Sequence, residues 1–167
     1  MSTPSDLDLA LLRRAFRLAG EARARGDRPF AAIIARADGT ILAEGLSAQG
    51  RSGRGTLAHS EMLACQAVID AGLPREVLRA ATIYSSAEPC AMCAAAIFYT
   101  GLGRVVYGLS AEAILHLRNA SPATAGLSLP CRTVLATAAE PVEVLGPLIE
   151  AEAAVAHHGY WNSGSSG

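Results

Sequence analysis

Residues 81–107 read ATIYSSAEPCAMCAAAIFYTGLGRVVY. Ala81 to Ser85 predicts a strand, Ala91 to Thr100 a helix, and Arg104 to Tyr107 a second strand. A strand, a helix and a strand in so short a span argue for an α/β layered domain whose sheet is at least partly parallel. The chain on either side fits that plan. Upstream, Phe30 to Ala35 and Thr40 to Ala43 flank Asp38-Gly39, the strongest local hairpin signal present. Before it, Thr3-Pro4-Ser5-Asp6 opens a helix with Thr3 as its cap. Leu7, Leu11, Ala15, Leu18 and Ala22 follow at helical spacing, and the helix ends near Gly26. Residues 47–57 (SAQGRSGRGTL) are small, polar and glycine-rich, hence a loop, and Ala58 to Ala71 predicts a helix. Downstream, the pattern predicts a helix over Ala111 to Arg118 and a loop over 119–131. Short strands follow over Thr133 to Ala136 and Val142 to Leu145. A last helix runs over Pro147 to His157, with Pro147 in its first turn. Residues 1–162 read as one domain, and Ser163 to Gly167 as an appended Ser/Gly tail.

Composition narrows the classes further. The chain is 51% hydrophobic and 17% charged, enough for a real core and unlike a disordered chain. No apolar run reaches the roughly 18 uncharged residues of a membrane span. The net charge is −1, from 14 Arg, no Lys and 15 acids, which does not suggest a nucleic-acid footprint. Eleven of the Arg fall in residues 1–79, so a local basic patch stays open. The N-terminus shows no basic segment leading into an apolar stretch, and a cytoplasmic protein is expected. Its four cysteines then read as thiols suited to metal or catalysis rather than to disulfides.

The chemistry lies in His59-Ser60-Glu61 and Pro89-Cys90-Ala91-Met92-Cys93. One His and two Cys make three zinc-type ligands, and three ligands leave a fourth tetrahedral position open for water. In mid-helix His59 and Glu61 would stand about 200° apart. At a helix start both can point past the helix end toward one ion. Cys90 and Cys93 lie at i and i+3 on one face, with Pro89 at the entry. Two helix N-termini therefore converge, and their dipoles favour thiolate over thiol.

With these motifs in place, the chain resembles the cytidine deaminase superfamily, and more closely its branch of guanine, cytosine and tRNA-adenosine deaminases. The resemblance runs from Arg28-Pro29-Phe30-Ala31-Ala32 through Glu88-Pro89-Cys90-Ala91-Met92-Cys93 to Arg104-Val105-Val106-Tyr107-Gly108, and the C-terminal third matches loosely. It implies a three-layer α/β/α sandwich with a five-stranded mixed sheet, one Zn2+ per chain and a homodimer. His59, Cys90 and Cys93 would hold the zinc. Glu61 would take a proton from water and deliver it to the ring nitrogen of a heterocyclic amine, releasing ammonia. Phe30, Ser47, Ala58 and Tyr99 would lie beside the substrate, with Trp161 as a lid. Ser47 stands where relatives often place an Asn, and Gly55-Thr56-Leu57-Ala58 replaces a usual Asp-Pro.

The expected substrate is a small free base or nucleobase-like amine, guanine first, with tRNA adenosine and nucleosides as the competing substrates. The competing class is a non-catalytic zinc module, which needs a fourth ligand from Cys65, Cys131, His116, His157 or His158. Cys65 and Cys131 read as small buried hydrophobes, Glu112 as a helix-start acid, and His157-His158 as cations complementing the dipole of the last helix.

Overall fold

The computed structural model describes residues 3–120 and 127–161. Helix α1 (Asp6–Ala24) begins with a capping box: the Asp8 amide donates to Ser5 Oγ (3.1 Å) and the Ser5 amide to Asp8 Oδ2 (2.9 Å). Ser5 rather than Thr3 is the cap, because the reciprocal bond needs an acid three residues on and Asp8 supplies it. Asp8 is buried, and it also accepts from Tyr84 Oη (2.9 Å) and Arg104 Nη1 (2.6 Å). Burial alone would raise its carboxyl, but the Arg104 guanidinium and these donors hold it well below the usual range. The ion pair thus ties α1 to the sheet.

The hairpin expected around Asp38-Gly39 forms, with β1 (Ala31–Ala35) antiparallel to β2 (Ile41–Leu46). After α2 (Ser60–Asp70) and a short helix α3 (Arg75–Arg79) come β3 (Thr82–Ala87), α4 (Ala91–Thr100) and β4 (Arg104–Leu109). Then follow α5 (Ala111–Leu117), α6 (Cys131–Ala136), β5 (Glu143–Leu145) and α7 (Glu150–Ala153), which continues as a 3-10 turn over Ala154–His157. The sheet order is β2-β1-β3-β4-β5. β1 runs antiparallel to β3, while β3, β4 and β5 are parallel, so the sheet is mixed as expected.

Every residue of β1 and of β3 is buried, so both sheet faces are covered. One face packs Ile33, Tyr84 and Val106 against Leu12, Ala15 and Phe16 of α1, with Ile114 of α5 and Ala153 of α7. The other packs Ile34, Ile83 and Val105 against Ala64 and Val68 of α2, Ala94 and Ile97 of α4 and Leu135 of α6. This is the three-layer arrangement. Cys65 and Cys131 lie in the second layer as buried thiols, raised to about 11 and about 12 by desolvation.

Two expectations about elements need correction. Thr133 to Ala136 is helix, not strand: the Cys131 amide donates to Glu88 Oε1 (3.1 Å), and the chain turns helical from Pro130. The last helix begins at Glu150 rather than Pro147, since Ile149 adopts a left-handed conformation just before it. Helix α3 has no counterpart in the sequence reading. Part of the 119–131 loop (121–126) and the 163–167 tail lie outside the described residues. Among the described residues, no helix is long and apolar enough to cross a membrane.

Candidate active site

His59 is the residue before α2, and Cys90 the residue before α4. Both have extended backbones (ψ 150° and 170°), and neither side chain caps its own helix. The two helix starts lie at the edge of the sheet where β3 ends. Two features fix that convergence. Gly45 of β2 passes so close to α2 that a Cβ there would stand 2.0 Å from the Ser60 carbonyl oxygen. Glu88 receives the amides of Ala111 and Cys131 (both 3.1 Å), which anchors the turn leading to Pro89-Cys90.

The ligating atoms of His59, Cys90 and Cys93 lie within 4.8 Å of one another. His59 Nδ1 is 3.7 Å from Cys90 Sγ and 3.5 Å from Cys93 Sγ. A tetrahedral zinc with sulfur at about 2.3 Å and nitrogen at about 2.05 Å would set such pairs about 3.6 Å apart. The trio therefore fits the ion in donor type and in spacing. Cys90 carries the negative charge: hydrogen bonding from Cys93, and then His59, holds its thiol down at about 4. Cys93, hydrogen-bonded to Cys90 and buried, is pushed well above the usual thiol range. His59 is raised by its hydrogen bond with Cys90.

Glu61 lies in the first turn of α2 and is buried. Its Oε2 accepts from Ser60 Oγ (2.9 Å) and its Oε1 from Ser85 Oγ (3.1 Å). Burial raises its pKa. Ser85 and Ser60 are partners of Glu61 that the local spacing of the motif did not point to. A pair of serines inside a strand otherwise fit for burial (Ser85-Ser86) was the available signal.

The other expected residues divide. Phe30 meets His157 edge-on (5.1 Å between centroids) and Trp161 tilted (6.2 Å), while His157 and Trp161 stack at 6.0 Å. These three rings form an aromatic end beside β1. Ser47 is buried, with its amide on the Phe30 carbonyl (2.9 Å) and its hydroxyl toward Gln49 Oε1 (3.3 Å). Ala58 is buried, its carbonyl accepting from the Ala48 amide (3.0 Å). Tyr99 must be corrected. It sits nine positions after Cys90, roughly 13 Å along α4, is 83% exposed and touches Phe98 rather than the site. His157 is not the helix-end cation expected. It is 1% exposed, and desolvation lowers its pKa to about 4, leaving it neutral.

An α/β/α sandwich that gathers an imidazole, two thiols and a buried carboxylate at two helix starts has the make-up of a metal-dependent hydrolase. Residues 5–109 match the family model described as the cytidine and deoxycytidylate deaminase zinc-binding region. The chain is 37% identical over 161 residues to a probable cytosine deaminase of Schizosaccharomyces pombe, covering 96% of each. It is 32% identical over 106 residues to a tRNA-specific adenosine deaminase of Haemophilus influenzae, covering 64% of this chain and 60% of that one. Its fold overlays a guanine deaminase from Nitrosomonas europaea with a TM-score of 0.74 at 23% identity, covering 97% of this chain and 87% of the other. The chain belongs to the cytidine and deoxycytidylate deaminase zinc-binding family and is a zinc-dependent hydrolytic deaminase.

Proposed function

We propose that this enzyme deaminates a free nucleobase or a close amino-substituted heterocycle, with cytosine as the first substrate to test and guanine the second. The observation that carries the reaction is Glu61, whose two oxygens are held by Ser60 and Ser85 beside the His59, Cys90 and Cys93 cluster. His59, Cys90 and Cys93 hold the zinc, which when bound supplies a Lewis acid that lowers the pKa of water toward neutrality. Glu61 takes the proton of the attacking water on its carboxylate, passes it to the ring nitrogen, and then supports the departure of ammonia. Water and the ring amine become a ring carbonyl and ammonia. Ser85 and Ser60 keep the carboxylate in place through both transfers. Phe30 and Trp161 form the wall for the heterocycle, whose face suits aromatic contact.

Three features support a free base over the alternatives. The full-length likeness is to a probable cytosine deaminase, whereas the likeness to the tRNA-specific enzyme spans only part of each chain. The aromatic end formed by the C-terminal segment favours a small substrate. A structural zinc module would need a fourth ligand, and among the described residues the cluster holds only three. An ammonia-release panel of cytosine, guanine, adenine, their nucleosides and a tRNA anticodon stem tests the reading. A free base should give the highest kcat/KM, and a preference for the tRNA stem would overturn it. Glu61→Ala should keep about one zinc per chain and lose at least about 10²-fold in turnover. Full turnover in that variant would remove Glu61 from the mechanism.

The enzyme acts as a homodimer in the reducing cytoplasm, where thiols stay free. The support for the dimer is α4. It carries no charged residue, and Met92, Ala95, Ala96 and Tyr99 line its outer side at i, i+3, i+4 and i+7. An uncharged apolar stripe of this kind suits a copy of itself.

A further inference from the structure

Among the described residues, three buried side-chain polar atoms make no hydrogen bond, and all three lie in the aromatic end. They are both ring nitrogens of His157 and the indole nitrogen of Trp161. Other buried polar side chains have partners: Tyr84 and Arg104 on Asp8, Gly50 and Ser52 on Asp27, Ser60 and Ser85 on Glu61. A buried polar group left unpaired is costly, so an exception of this kind points to a partner from outside the chain. Phe30 and Trp161, the rings against His157, cannot serve both of its nitrogens. A phenyl ring has no polar atom, and indole is a donor only.

The His157 ring is also held in place. Arg23 Nη1 of α1 donates to the carbonyls of Ala156 (2.9 Å) and His158 (2.8 Å), the residues on either side of it. Arg13 of the same helix grips both carboxylate oxygens of Glu152 (2.8 and 2.9 Å), one turn earlier. The backbone sets these rings at the reacting end of the sheet. Ala32 pairs with Ser85, whose hydroxyl is on Glu61, and the Ala31 amide donates to Ser86 Oγ (3.0 Å). Phe30 therefore stands beside the end of β3 from which Pro89-Cys90 departs. Buried, clamped and unpaired, His157 is preorganised for a polar ligand.

We propose that His157 is a specificity residue that reads a lactam edge of the substrate, a ring N–H next to a ring carbonyl. One imidazole nitrogen accepts the N–H, and the Trp161 indole N–H donates to the carbonyl. The inference rests on the deaminase reading above and names what selects the free base. Neutral imidazole offers one acceptor and one donor, so it suits an edge that carries both. Cytosine and guanine each present such an edge. Cytidine does not, because its sugar occupies that ring nitrogen.

The test uses the zinc-loaded enzyme, wild type, His157→Phe and His157→Gln, with cytosine and 1-methylcytosine, in which a methyl group replaces the N–H. Should guanine be the base turned over, 1-methylguanine is its matched analogue. The wild type should favour the unmethylated base in kcat/KM by at least about 100-fold, because a site built to pair with an N–H rejects the analogue that lacks it. His157→Phe keeps an aromatic ring without polar atoms and should cut that ratio about tenfold, the worth of one buried hydrogen bond. His157→Gln retains a donor and an acceptor and should hold it within about threefold of the wild type. The ratio does not depend on how much of a variant is folded, so a purely structural role would lower both rates together. A ratio that His157→Phe leaves unchanged, or that His157→Gln loses as fully as His157→Phe, overturns the proposal. If neither base is deaminated, the functional reading fails and binding decides the site. Uracil and 1,3-dimethyluracil are then titrated against the fluorescence of Trp161, the sole tryptophan. Uracil should bind about tenfold tighter in the wild type and lose that margin in His157→Phe. Equal binding of the two compounds to the wild type overturns the site.

Discussion

His157 shows how much one residue's surroundings govern its chemistry. Sealed between Phe30 and Trp161, with Arg23 and His158 adding positive charge nearby, its imidazole stays neutral down to about pH 4 rather than 6.5. The unfolded chain would take up that proton below pH 6.5 while the folded chain refuses it. Stability is therefore complete above about 6.5 and is lost as the pH falls toward 4, by roughly 2–3 kcal/mol at pH 4.5. Urea unfolding of wild type and His157→Phe at pH 7 and pH 4.5 checks this, since the variant should lose less stability on acidification. Asp27 makes a second case. It is fully buried and accepts the amides of Gly50 and Ser52 (both 3.0 Å), fastening the loop that runs from Ser47 to His59. Asp27→Ala would remove the acceptor that these two exposed loop residues share and cost about 1–2 kcal/mol, with KM rising more than kcat falls. Steady-state kinetics beside a thermal melt separates the two effects. His59, Glu61, Cys90 and Cys93 were legible in the sequence because each pair sits within one turn of a helix start. Ser85 was not, because it reaches Glu61 from the sheet, 24 residues away in sequence, and local spacing carries no trace of such a contact.

At the level of elements, local pattern served best where local forces rule. The Asp38-Gly39 hairpin and the strand-helix-strand run of residues 81–107 formed as read. Helix α6 did not, because Thr133 and Val134 favour strand by propensity, whereas the Glu88 carboxylate fixes the Cys131 amide at a helix start. A contact 43 residues apart in sequence overrode a preference worth less than about 1 kcal/mol. Helix α3 is a single five-residue segment, too short to produce a periodic signal. The contact of β2 with α2 also belongs here. Gly45→Ala would drive its methyl into the Ser60 carbonyl and shift the start of α2, costing about 1–3 kcal/mol. Because His59 and Glu61 ride on that start, zinc content should drop with the melting temperature. A variant that melts lower yet binds zinc at full stoichiometry would separate the two.

For the molecule as a whole, the layered fold leaves α4 with an inner side built into the core and an outer side without charge. Tyr99 is the most exposed residue of that outer side. Tyr99→Arg places a charge in the middle of the expected contact and should convert dimer to monomer in sedimentation, with the monomer's melt little changed because the side chain is not in the core. A variant that sediments as the wild type would move the interface elsewhere.

Because β1 runs against β3, the backbone enters one strand and leaves the other along a shared rim. Residues proposed to handle the reaction ride on helix starts behind that rim, while those proposed to face the heterocycle (30 and 161) arrive on separate strips of chain. Changes in the second set can retune what the enzyme accepts and leave the first set untouched. The diet of such a protein can drift over time, and its chemistry stays put.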